Sequence, residues 1–113
     1  VTKFKEENLQ AVYQGMYLVT NGSHGTLRTA FNDLPVKVAA KTGTAEEDKN
    51  RSSHTWFVCF APFDDPQIAI TVMIPFGEGS GTPAPAVAKA IIREYLGLDY
   101  TPTNTTMQTV LAE

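Results

Sequence analysis

A single cysteine, Cys59, is all the thiol chemistry this sequence carries, so no disulfide closes within the chain. It sits inside an apolar run, where packing suits it better than reactivity. No apolar stretch approaches the roughly 20 residues of a membrane span. Basic clusters and Arg-rich helices are missing too. With 9 Lys and Arg against 12 Asp and Glu, the net charge is −3. That excludes the electrostatic footprint of a nucleic-acid binder or of a protein drawn to an anionic membrane surface. There is no H-E-x-x-H and no C-x-x-C, and His24 and His54 are too isolated to make a zinc pattern with Cys59. Both are expected to be ordinary hydrogen-bonded histidines, and neither metal nor cofactor is expected. The glycines Gly77, Gly79 and Gly81 do not spell G-x-G-x-x-G, and no G-K-[ST] occurs, so the stretch Phe76 to Pro85 reads as a flexible connector and not a phosphate cradle.

What is present is the material of one small domain or of a piece of a larger one. Apolar residues make up 42% of the chain, enough for a folded core. From Lys5 to Thr20, Leu9, Val12, Tyr13 and Met16 recur at helical spacing, with Glu6 and Glu7 early and Asn21-Gly22 past the end. Gly15 in the middle of that helix suggests close approach of another backbone, and Gly22 suggests a left-handed terminus. Residues 21–33 are turn-rich and expected to cross the surface before Leu34-Pro35 redirects the chain.

His54 to Ala61, HTWFVCFA, is dense in aromatic and β-branched residues and reads as a strand. Gln67 to Pro75, QIAITVMIP, follows at hairpin distance and is apolar on both parities, so burial on both faces is expected, with antiparallel pairing because the connection is too short for a crossover. Ala86 to Leu96 forms a helix with Val87, Ala90, Ile91, Ile92 and Tyr95 as a broad apolar face, ended by Gly97. The threonine-rich residues 101–113 have no clear period and are expected to form a flexible tail. No repeat and no linker divides the chain. The expected fold class is therefore α+β, helices packed on the faces of an antiparallel sheet. So small a sheet, apolar on both faces, needs more cover than one further helix gives, and the chain starts at Val1 close to a helix. It is expected to be incomplete, a portion of a longer polypeptide.

Between these elements lies the one stretch that announces chemistry. Val36, Val38 and Ala40 alternate as in a strand and lead into Lys41-Thr42-Gly43-Thr44: a cation, two hydroxyls and a bare backbone. A glycine between β-branched residues lets another molecule lie along a strand edge, and the flanking donors suit a carboxylate or carbonyl. Taken alone, the triplet is equally compatible with an edge strand that carries a lysine. The residues after it, Glu46 to Ser53, contain no apolar group and form a solvated loop, either a plain connector or one lip of a cleft.

Lys41-Thr42-Gly43-Thr44-Ala45-Glu46, followed by Thr55-Trp56-Phe57-Val58 and Phe60-Ala61-Pro62, resembles the C-terminal part of the transpeptidase domain of penicillin-binding proteins, most closely class B. The order and spacing of Gly15-Met16, Gly25-Thr26, the aromatic strand, its apolar partner and the final helix through Tyr95-Leu96 are similar as well. The resemblance covers about residues 8 to 96, and it makes residues 1–100 the C-terminal portion of a single domain of β-lactamase/transpeptidase type. The family attacks with the serine of S-x-x-K beside an S-x-N motif. Ser23, Ser52, Ser53 and Ser80 fit neither pattern, so the nucleophile is expected on an N-terminal part of the same protein, absent here or present as a separate chain.

The resemblance implies roles for four residues. Lys41 would hold positive potential in the cleft, aiding proton transfer and drawing in the substrate carboxylate, which Thr42 and Thr44 would hydrogen-bond. The Thr44 N–H would complete an oxyanion hole, and Gly43 would leave room for the substrate. Trp56 is taken as structural. The implied partners are peptidoglycan stem peptides and β-lactam antibiotics, and the implied place is the extracytoplasmic face of a bacterial membrane, by an anchor outside this chain. A β-lactam sensor, a D,D-carboxypeptidase and a β-lactamase share the fold and stay open as alternatives.

Overall fold

A computed structural model describes residues 3–77 and 83–99. Residues 101–113, and the centre of the connector from Phe76 to Pro85, lie outside the described residues. The order is α1 (Glu6–Asn21), β1 (Ala39–Ala45), β2 (His54–Ala61), β3 (Ile68–Ile74) and α2 (Ala84–Tyr95). The strands form one antiparallel sheet in the order β1-β2-β3. This is the α+β arrangement expected, with the motif strand beside β2 and free of any partner on its other edge among the described residues.

Alternation along β2 divides the sheet into two unlike faces. Thr55, Phe57, Cys59 and Ala61 are buried, while Trp56 on the other face is 41% exposed. Register carries the division across all three strands: Ala40, Cys59 and Ile70 form one row of the buried face, and Thr42, Phe57 and Val72 the next. α2 lies on this face through Ala84, Ala88 and Ile92, with Phe31, Leu34 and Val38 closing the core. Phe31 stacks on Phe57, ring centroids 6.1 Å apart. Cys59 belongs to this core, where burial pushes its thiol up to about 11, and packing is its role.

Phe57 has no exposure at all, so Phe57→Ala should cost about 3–5 kcal/mol of stability through lost burial and an unfilled cavity. Urea denaturation would read this as a lower midpoint. A cost below about 1 kcal/mol, within the range of surface substitutions, would place the core elsewhere.

Several expectations need correction. A Cβ added at Gly15 would meet nothing within 4 Å, so no backbone among the described residues approaches α1 there. The close approaches are at Gly22 and Gly25, where an added Cβ would stand 2.6 Å and 2.4 Å from the Leu18 carbonyl oxygen. Gly22 is extended and not left-handed, whereas Gly97, with φ 69°, ends α2 as expected. Val12 is 59% exposed, because only one end of α1 reaches the sheet: Tyr13 meets Phe60 edge to face at 5.5 Å and Tyr17 meets Phe63 at 4.7 Å. Residues 21–33 do not merely cross the surface, since Phe31 is inserted into the core. In β3 burial alternates and is not two-faced as expected, because nothing among the described residues covers the face of Ala69, Thr71 and Met73, and among these residues β3 is an edge strand. α2 begins two residues earlier than expected, and its buried stripe is Ala84, Ala88 and Ile92, while Val87, Ile91 and Tyr95 are exposed.

Polar contacts tie the segment before β1 to both helices. Lys89 of α2 donates to the Ala30 carbonyl at 3.2 Å and to Asp33 Oδ1 at 2.9 Å, which holds the Asp33 carboxyl below its ordinary value. At the end of α1, the Thr20 hydroxyl donates to the Val38 carbonyl, and Asn21 Nδ2 reaches the same oxygen at 3.0 Å. The motif strand thus starts from a backbone position clipped to α1.

Candidate functional site on the edge strand

β1 leaves the core within a few residues. Ala39 and Ala40 are fully buried, Thr42 is half-buried, and Lys41, Gly43 and Thr44 are exposed. The buried alanines anchor the strand while the clip at Val38 sets where it starts, so the polar residues are presented from a rigid base.

The pleat sorts the motif into two pairs. Lys41 stands opposite Val58 and Gly43 opposite Trp56, on the uncovered face. Thr42 stands opposite Phe57 and Thr44 opposite Thr55, on the face that α2 packs against. Continuing across β2, the rows on the uncovered face are Lys41, Val58 and Thr71, then Gly43, Trp56 and Met73. Met73 is 44% exposed, so with Trp56 it makes an apolar shelf next to the cation. α1 covers the neighbouring row, Ala39 with Phe60, and stops there. The four motif residues therefore do not converge as side chains on one point. They share the free edge of β1, where every second residue turns its N–H and C=O outward.

Lys41 Nζ donates to the Thr42 carbonyl at 2.6 Å, which folds the ammonium back onto its own strand. Gly43 has ordinary backbone angles, and an added Cβ would sit 3.6 Å from Trp56 Cβ, a normal contact. The fold itself does not require glycine at this position.

Beyond Ala45 the loop is exposed from Glu46 to Ser52, as expected, but Ser53 is buried. His54, opposite Ala45, binds on both ring nitrogens. Nε2 lies 3.1 Å from Glu47 Oε2, and Nδ1 accepts the N–H of Phe76 at 3.1 Å. Phe76 has φ 53°, a left-handed conformation unusual for an aromatic residue, and its ring packs on His54 at 4.7 Å with the Arg51 guanidinium 5.9 Å from its centroid. The sequence marks His54 only as one more hydrogen-bonded histidine. Its partners come from two loops, and no local pattern pairs them. Thr20 and Asn21 are likewise hidden, reading as an ordinary helix end.

Helices packed on an antiparallel sheet whose edge strand carries Lys-Thr-Gly are the arrangement that the resemblance implies, and solved structures of penicillin-binding proteins superpose on the chain. Penicillin-binding protein 2B from Streptococcus pneumoniae strain R6 does so with a TM-score of 0.73 at 31% identity, over 90% of this chain and 17% of that one. Pseudomonas aeruginosa PBP2, solved in complex with WCK 5153, gives 0.72 at 33% identity, over 85% and 20%. The chain belongs to the penicillin-binding protein transpeptidase domain family, whose model matches residues 1–93. Among curated relatives it is similar to the peptidoglycan D,D-transpeptidase MrdA of Haemophilus influenzae, 34% identical over 101 residues that cover 77% of this chain and 16% of the relative. The chain thus spans about a sixth of the length of that relative.

Proposed function

We propose that this chain is the Lys-Thr-Gly portion of a D,D-transpeptidase that cross-links peptidoglycan through a serine acyl-enzyme and is acylated by β-lactams. The observation that carries the reading is the placement of Lys41 and Gly43 on the uncovered face of an unpaired strand edge, in a chain of this family. A stem peptide, extended and antiparallel to β1, adds to that edge as a further strand. Gly43 lets its backbone approach, and the Lys41 ammonium swings from the Thr42 carbonyl toward the cleft, drawing in the terminal carboxylate. Thr42 and Thr44 reach that carboxylate around the edge, from the side opposite Lys41.

In the acylation step a serine Oγ attacks the penultimate carbonyl, its proton is passed on, and the C–N bond breaks to release D-alanine as the amine. The developing oxyanion is held by the Thr44 N–H together with the N–H of the attacking serine. An amine of a neighbouring stem peptide then displaces the serine, forming the cross-link. That serine, with its S-x-x-K and S-x-N motifs, belongs to an N-terminal part of the complete protein, so residues 1–113 by themselves are inactive. Residues 1–100 are the C-terminal portion of one domain. The site of action is the extracytoplasmic face of the bacterial cell membrane, reached by an anchor outside this chain. The relative's printed name, a D,D-transpeptidase, favours this over a sensor or a hydrolase of the same fold.

The test is acylation of the complete protein by a fluorescent penicillin, followed by peptide mapping. One labelled serine outside residues 1–113 is expected. Label on Ser23, Ser52, Ser53 or Ser80 would overturn the assignment of the nucleophile, and no label at all would overturn the reading.

A further inference from the structure

The contacts of His54 join three segments that are far apart in sequence. Its backbone belongs to β2, opposite the last residue of the motif strand. Its Nε2 meets Glu47 in the loop that leaves β1, and its Nδ1 accepts from Phe76 in the turn that leaves β3. A ring that accepts an N–H on Nδ1 carries its proton on Nε2, which is the nitrogen that faces the Glu47 carboxylate. Both contacts are therefore satisfied at once by the neutral ring. Phe76 stands in a left-handed conformation that a side chain rarely adopts, so it stays there only while something holds it. The holding groups are the His54 ring, by hydrogen bond and by packing, and the Arg51 guanidinium over the far aromatic ring.

We propose that His54 is a positioning residue for the Lys41–Thr44 strand: in its neutral form it clamps the loop after β1 and the turn after β3 to the end of that strand. The inference rests on the transpeptidase reading, because its consequence is read at the acylation site. Thr44 and Ala45 are the last residues of β1 to pair with β2, opposite Thr55 and His54. A strand end that frays there moves the Thr44 N–H, and a small displacement of an oxyanion donor is felt directly in rate.

Protonation affects the two contacts in opposite senses. A proton on Nδ1 turns that nitrogen from acceptor to donor, so it faces the Phe76 N–H donor to donor and the bond is lost. The contact to Glu47 becomes an ion pair and persists. The charged groups brought to the ring are Glu47 directly and Arg51 across Phe76, while β1 presents uncharged Ala45 and residues 75–77 contain nothing that titrates.

The experiment compares acylation rates of the complete protein and of three variants with a fluorescent penicillin. His54→Asn keeps an acceptor where Nδ1 lies, at every pH. His54→Gln can reach Glu47 but has no acceptor at that position, and His54→Leu has neither group. Asn and Gln, which each keep one of the two contacts, are expected to acylate about fivefold more slowly, the worth of one hydrogen bond, and Leu, which keeps neither, more slowly still. Amide exchange at Phe76 should quicken in Gln and Leu and not in Asn, and thermal melting reports whether each variant is folded. Equal rates and equal Phe76 exchange in Asn and Leu would overturn the inference while leaving the transpeptidase reading intact. An unsubstituted protein that is not acylated would overturn that reading and the inference with it.

Discussion

Gly43→Val in the complete protein is expected to slow acylation by a penicillin about a hundredfold, the scale of a displacement of roughly an ångström in a reacting pair. The folded state should lose little. Position 43 has ordinary backbone angles, and a Cβ there would make a normal 3.6 Å contact with Trp56. A valine opposite an aromatic residue in an antiparallel pair is a favourable cross-strand combination. The fold asks for no glycine at this point, and in the function proposed above its bare backbone leaves room for the substrate on the uncovered side of the strand. The measurement is the second-order acylation rate beside a thermal melt. A folded Val variant that acylates at the normal rate would remove the substrate from this edge.

Lys41→Met should slow acylation about a thousandfold, within the range that general acid–base groups contribute. The methionine keeps the length and much of the apolar stem while deleting the charge. Lys41 is exposed and among the described residues its amine bonds to the carbonyl of its neighbour Thr42, so stability should hardly change. Lys41→Arg separates two roles of the cation. It keeps the charge, so attraction of a carboxylate should survive, but a guanidinium does not give up a proton, so a role in proton transfer would be lost. An Arg variant as slow as Met points to proton transfer, and one near the normal rate points to electrostatic attraction. A Met variant at the normal rate would take Lys41 out of the site.

Much of the fold was legible because its signals are local. The β2 segment HTWFVCFA, bounded by Pro62, coincides with His54–Ala61 to the residue, since aromatic and β-branched side chains mark a strand without help from elsewhere. α1 was within a residue at each end. Faces were harder to read. Val87, Ile91 and Tyr95 of α2 are apolar yet exposed, while the small residues Ala84 and Ala88 are buried, because the sheet approaches the helix where side chains are short. Apolar character on both parities of β3 gave an expectation of two buried faces. Burial needs a neighbour, and the described residues supply one on a single face.

The sequence by itself determined the elements, their antiparallel order and the presence of Lys41-Thr42-Gly43-Thr44 on a strand, all of which follow from side-chain spacing and turn chemistry within a few residues. Only the tertiary structure decided that this strand is a sheet edge among the described residues, that Lys41 and Gly43 take the uncovered face while Thr42 and Thr44 take the face under α2, and that Thr20, Asn21 and His54 find partners outside their own elements. The physical reason is that the pleat is built into each strand, whereas register, edge and which face is covered depend on neighbouring elements. These hydrogen bonds join Thr20 and Asn21 to Val38, and His54 to Glu47 and Phe76, partners that the chain brings together only by folding.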